Sequence, residues 1–209
     1  MLWNNFLRTG SRSGYSSSII PSSSRSSLRF SHDYPYLGSS ASSGDSLHML
    51  KITFLTPNFA VTGGLQREDI AEVAAAGFKS ILSNLPDGES SKYPTTTEEA
   101  ELARRAGLGF RYVPTTKADV FSDRVVEDAT AALNELEGPV LAHCASGLRS
   151  AFVWAAAAAR SQPADCVITV LKKAGYDLEA VREELEEQRA RGSPGLIPEA
   201  LDCHCAQQG

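Results

Sequence analysis

Little in this chain of 209 residues could cross a membrane or staple a small fold. Its longest apolar run, Ala151 to Ala159, is about half the length a bilayer-spanning helix needs. Only four cysteines are present (Cys144, Cys166, Cys203 and Cys205), too few for a disulfide scaffold, and none forms a Cys-x-x-Cys pair with zinc-site spacing. The triplet Cys203-His204-Cys205 offers soft ligands, but in the last seven residues, where an unstructured tail is expected rather than a metal site. No metal and no cofactor is therefore expected. Lysine is absent from residues 1–46, and no acid precedes Asp33. Arg8, Arg12, Arg25 and Arg29 against Asp33 and Asp45 give that segment a charge of +2, so the rest carries −7 of the whole chain's −5. An acidic body excludes nucleic acid and anionic membrane as the main partner.

The same segment holds sixteen serines, with Leu2, Trp3, Phe6 and Leu7 at its start. It cannot bury enough apolar surface to offset the entropy of ordering it. Arginine-rich, serine-rich and acid-poor is the composition of an organelle transit peptide, and no apolar core of a secretory signal is present. The expectation is mitochondrial import, with a plastid as the alternative, and processing near "LRFS" at 28–31. The division expected is a transit peptide and linker over 1–46, one catalytic domain over 47–192, and a tail over 193–209.

From Lys51 the pattern becomes periodic. "KITFL" (51–55), "FAVT" (59–62), "FKSILSN" (78–84), "FRYV" (110–113) and "PVLAH" (139–143) read as strands. Residues 66–77 and 96–107 read as helices ended by Gly77 and Gly107, the second opened by a Thr96–Glu99 capping box. Ser122 caps a third helix, and "AFVWAAAAARS" (151–161), broken by Pro163, is a fourth. Two more helices end at Gly175 and Gly192, and Cys166 is expected buried in the first of them. Alternating strands and helices predict an α/β three-layer sandwich around a mostly parallel sheet of four or five strands.

The chemistry concentrates in "HCASGLRS", residues 143–150. Cys144 follows directly on a buried strand, and Arg149 and Ser150 open the next helix. Ligands of such sheets bind beyond the carboxyl ends of the strands. The backbone amides of Ala145, Ser146, Gly147 and Leu148, with the helix N-terminus, form an anion cradle that favours a thiolate nucleophile. Gly147 lets the loop turn inward, Ser150 can hydrogen-bond the sulfur, and the Arg149 fork can grip two oxygens. His143 stands behind the loop as a supporting residue. Nucleophile, oxyanion donors and charge clamp thus fall within six residues. A general acid would complete a hydrolase: Asp119 is the leading candidate, with Asp123 and Asp87 as alternatives.

This motif resembles the signature of cysteine phosphatases. More closely, "FAVTGGLQREDIAEVAAAGFKSILSNLPDGE" (59–89), "EAELARRAGLGFRYVP" (99–114) and "PVLAHCASGLRSAFVWA" (139–155) resemble the beta-lactamase hydrolase-like phosphatase-like family. The resemblance covers about half the chain. It implies a tyrosine-phosphatase-like fold, Cys144 as nucleophile, Arg149 as anion-binding residue and a small anionic substrate, a phosphomonoester. Gly64 and Leu85 depart from the glutamine and arginine that the family often has there. The loop departs from ordinary phosphatases too: they place five residues between cysteine and arginine, whereas four stand between Cys144 and Arg149. That shorter loop is the length found in rhodanese-like sulfurtransferases, whose donor would be thiosulfate or a persulfide. A module that binds an anion without turnover is the third alternative. The oligomeric state is left open.

Overall fold

The computed structural model describes residues 50–192. The expected transit segment and the Cys203–Cys205 tail lie outside them. Five strands form one sheet: β1 (Thr53–Thr56), β2 (Phe59–Thr62), β3 (Ser80–Ser83), β4 (Gly109–Tyr112) and β5 (Val140–His143). The spatial order is β1-β2-β5-β3-β4. Only β1 is antiparallel, as a hairpin partner of β2; the other pairings are parallel.

Helices α1 (Asp69–Ala75) and α2 (Thr96–Arg105) pack with Ala60, Ile81 and Leu141 in one core. Helices α3 (Asp123–Glu135), α4 (Leu148–Ala159), α5 (Ala164–Lys173) and α6 (Arg182–Arg191) build the larger core with Val61, Leu82 and Ala142. The alternation of Leu141 against Val140 and Ala142 is the period of two that sends neighbouring strand residues to opposite faces. Both faces are covered, which is why β5 is buried throughout and apolar up to His143. Among the described residues, no helix is long and apolar enough to cross a membrane.

Two local details differ from the sequence reading. The N-cap of α2 is Thr95, whose side chain accepts from the Glu98 amide; Glu99 is buried and completes no capping box. Its carboxylate is drawn inward by partners on the sheet, described below. Cys166 is half-buried rather than buried, because Ala164, Val167, Ile168 and Leu171 take the inner face of α5. Ser122, by contrast, caps α3 as expected, accepting from the Val125 amide.

Candidate active site

β5 lies between β2 and β3 and runs parallel to both, so the loop leaving its carboxyl end emerges at the middle of the sheet edge. Cys144 opens that loop and is buried, while Ala145 and Ser146 are exposed. Gly147 ends it at φ 85°, the left-handed region that glycine enters without strain. A side chain here would also crowd β2: a Cβ on Gly147 would lie 3.1 Å from the Thr62 carbonyl oxygen. The helical hydrogen bonds of α4 begin with the Ala151 amide on the Gly147 carbonyl, 3.0 Å. The preceding amides therefore have no partner within the helix and constitute its positive end. Leu148 points outward, while the Ser150 hydroxyl is buried beside the loop with no hydrogen-bond partner, as is that of Thr62.

Arg149 rises from the first turn of α4, and two other loops converge on it. Its Nη1 donates to Glu89 Oε2 at 2.8 Å and to the Thr115 carbonyl at 2.6 Å, and Nη2 donates to Glu89 Oε1. Glu89 comes from the loop after β3 and Thr115 from the loop after β4. Three of five guanidinium N–H groups are engaged in this way. The Nε–H and second Nη2–H share the remaining edge, a two-oxygen fork turned toward Cys144, with which the guanidinium also hydrogen-bonds. Burial works against the Arg149 charge, but the Glu89 carboxylate and the charge of Cys144 outweigh it and raise the pKa above the ordinary arginine value. Arg149 is thus a fixed cation next to the sulfur.

His143 faces away from this chemistry, onto the α2 side. Its Nε2 stands 2.6 Å from Glu99 Oε1, a close approach lying off hydrogen-bond geometry, and both side chains are almost wholly enclosed. Ser83 donates to the other Glu99 oxygen at 3.0 Å. His143, Ser83 and Thr62 occupy matched positions on three adjacent strands, so they share this face.

The acids that the sequence offers as proton donors are placed as follows. Asp119 Oδ1 accepts from the Thr116 amide and hydroxyl at 2.7 and 2.8 Å, and Oδ2 accepts from Arg124 at 2.9 Å. Burial pushes its carboxyl up, but those hydrogen bonds prevail and hold it below the ordinary aspartate range. Asp87 accepts from the Thr96 amide and hydroxyl at the start of α2. Asp123 pairs with Arg160, at the far end of α4 from Arg149.

A pocket of about 470 Å³ opens on the cysteine loop, with Ala145 and Ser146 on one wall and Thr62, Tyr93 and Tyr176 on others. A smaller one of about 310 Å³ reaches the Glu99–His143 pair. Tyr93 lines both. Its ring fills the space over Gly64, where a Cβ would come within 2.2 Å of it, so the glycine and the tyrosine ring belong together. Among the described residues, no group of three or more His, Cys, Asp or Glu side chains is placed to hold a metal ion.

Sequence reasoning missed Glu89, Thr115, Tyr93 and Tyr176. Only Glu89 left a trace, as the acid after the Asp-Gly turn of "LPDGE".

Comparison with known proteins identifies the family and the fold. The family model for the phosphatase-like domain of beta-lactamase hydrolase-like proteins matches residues 51–161. A beta-lactamase hydrolase-like protein of Agrobacterium fabrum is 32% identical over 149 residues, 68% of this chain and 33% of its own. One from Xylella fastidiosa is 31% identical over 106 residues, 51% of this chain and 24% of its own. The chain therefore spans about a quarter to a third of these curated relatives. Among solved structures, a candidate phosphatase of Neisseria meningitidis superposes with a TM-score of 0.57 at 31% identity, covering 66% of this chain and 98% of that one. Another, from Shewanella putrefaciens, reaches 0.50 at 19% identity over 68% of this chain and 91% of its own, a likeness of fold alone. The architecture is that of the tyrosine-phosphatase-like proteins.

Proposed function

The chain belongs to the family of beta-lactamase hydrolase-like phosphatase-like domains, and on that premise we propose that it is a cysteine-dependent phosphatase acting on a small phosphomonoester. Cys144 Sγ attacks phosphorus, forming an S–P bond as the ester P–O bond breaks. The loop amides from Ala145 to Leu148 and the Nε/Nη2 edge of Arg149 take the equatorial oxygens, whose charge grows toward the transition state. Water then cleaves the S–P bond and releases phosphate. The observation that carries this reading is the convergence of three strand-end loops on Arg149, which fixes the guanidinium by Glu89 and Thr115 and turns its remaining two-donor edge toward Cys144. Glu89 acts as a positioning residue in this scheme. Asp119 is the acid that sequence suggests for the leaving group, although both its oxygens are engaged by neighbours.

Sulfur transfer is the second reading, and loop length favours it. With four residues between Cys144 and Arg149, the ring of amides is tighter than in ordinary phosphatases, which suits a persulfide on Cys144. The deciding experiment compares release of phosphate from p-nitrophenyl phosphate with cyanide-dependent thiocyanate formation from thiosulfate. Phosphate release abolished by Cys144→Ser is expected. Thiocyanate formation without phosphate release selects the sulfur reading, and neither activity leaves an anion-binding module.

Mitochondrial delivery by residues 1–46 belongs to the same proposal, on their composition. A reporter fused to them is expected in mitochondria; a cytosolic reporter refutes it, and a plastid signal selects the alternative.

A further inference from the structure

The pocket of about 310 Å³ lies between the loop after β3 and the start of α2. Its volume is at the lower limit for small-molecule sites. Leu65, Leu85, Pro86, Tyr93 and Pro94 give it apolar walls, and Glu99 and His143 supply its polar end. Neither Cys144 nor Arg149 lines it, so it is a separate place from the anion loop.

The polar end has hydrogen-bonding capacity that the protein does not use. Glu99 is 3% exposed and His143 1%. Ser83 donates to Glu99 Oε2, but Oε1 and both imidazole nitrogens have no hydrogen-bond partner. The 2.6 Å approach of His143 Nε2 to Oε1 lies off hydrogen-bond geometry, so the imidazole is not a formed counter-ion. A carboxylate taken out of water is costly unless a cation or further donors replace the water. The other charges at the pocket supply neither. Arg67, on the rim, spends its Nε and Nη2 on the two oxygens of Glu98. The positive end of α2 is met from within, since Asp87 accepts from the Thr96 amide and Thr95 from the Glu98 amide.

We infer that this pocket is a second ligand site, and that it takes a primary ammonium carried on a compact apolar body, an arylalkylamine in chemical class. The ammonium donates to Glu99 Oε1 and to the unprotonated nitrogen of His143, which satisfies the acceptors left at the polar end. The apolar body lies against Leu65, Leu85 and the Tyr93 ring. A cation is preferred over a neutral alcohol because a hydrogen bond between two charged groups is stronger than one with a neutral donor. An anion is excluded, since it would meet Glu99 with like charge. The two sites of the molecule thus select opposite charges, and the second is independent of whether Cys144 handles phosphate or sulfur.

The test is titration calorimetry of the full chain with benzylamine, benzyl alcohol and benzoate at neutral pH, where the amine is a cation. Benzylamine is expected to bind saturably at one site, and benzyl alcohol about 10-fold or more weaker. Benzoate should not compete with the amine. Glu99→Gln keeps the shape of the side chain and should weaken benzylamine by about 10-fold or more, the size of a lost hydrogen bond between charged groups. Glu101→Gln, on the exposed face of the same helix, should leave it unchanged and so separates the site from general attraction to an acidic protein. Should Glu99→Gln lower the melting temperature, Ser90→Trp, at a half-buried wall position on the loop, is the second variant and should block the amine without touching the polar end. Cys144→Ser should bind the amine as the unsubstituted protein does. No saturable binding of benzylamine, equal binding of benzyl alcohol, loss in Glu101→Gln, or full binding in both Glu99→Gln and Ser90→Trp overturns the inference, and none of these outcomes bears on the reaction at Cys144.

Discussion

Arg149 and Arg160 sit at opposite ends of one helix, both nearly buried (9% and 7% exposed), and they have opposite occupations. Arg160 is surrounded: its Nε donates to Gln188 at 3.2 Å, Nη2 to Asp123 at 2.7 Å, and Nη1 reaches Glu127 at 3.5 Å. Those contacts tie α4 to α3 and α6, so all three of its nitrogens serve the fold. Arg149 is held from one side only, and its other edge faces the sulfur. A buried cation costs desolvation wherever it lies. At Arg160 that cost is met by partners that the protein never releases. At Arg149 one edge is turned to the sulfur rather than to a fixed carboxylate or carbonyl, which is what a ligand site requires. The lesson is that burial of an arginine says little until its donors are counted.

Substitutions can separate these roles. Cys144→Ser is expected to abolish turnover of either substrate class while leaving the melting temperature unchanged; measurable turnover in the serine variant would remove the nucleophile from the scheme. Arg149→Lys should lower kcat by about 10²–10³, because an ammonium cannot present two coplanar donors. Denaturant unfolding should barely change for that variant, since a lysine can still pair with Glu89.

Arg160→Met should invert the pattern. It strands the buried Gln188 oxygen, which costs about 2 kcal/mol, whereas the mostly exposed Asp123 and Glu127 lose little. Activity per folded molecule should be retained; a selective loss of kcat at full stability would dissolve the contrast between the two arginines. Gly147→Ala belongs to both columns. Its positive φ costs a side chain about 1–2 kcal/mol, and the displaced loop should also slow turnover, read by thermal melts beside kinetics.

The smallest effect concerns Asp119. Its carboxyl is held below the ordinary aspartate range in the folded state, so it stabilises the fold above that range and the contribution disappears as pH falls through the depressed value. Asp119→Asn should therefore flatten the fall in stability below about pH 4. An unchanged acid profile would mean that the Thr116 and Arg124 contacts carry no weight.

Where the sequence reading succeeded and failed follows one line. Ser122 was legible as a cap because its partner, the Val125 amide, is three residues away. The Thr96–Glu99 box was misread because spacing cannot tell a Glu that caps its own helix from one that reaches a histidine 44 positions on, across a packed interface. Cys166 lies among apolar neighbours in sequence yet sits at the margin of the inner face of α5, which only docking onto the core defines.

By itself, the sequence determined the sequence-local parts of this protein: strand followed by helix, a cysteine at a strand's end, a glycine that admits positive φ, an arginine in the first helical turn. Periodicity and short spacing fix these, because a strand repeats every two residues and a helix every 3.6. Tertiary structure alone decided what each buried donor meets. Glu89 reaches Arg149 across 60 residues and Thr115 across 34, and the Tyr176 hydroxyl arrives beside Gly147 from the end of another helix. Insertion of β5 between β2 and β3 sets those meetings, and the energy that selects that order is spread over the whole core, so no single stretch of sequence carries it.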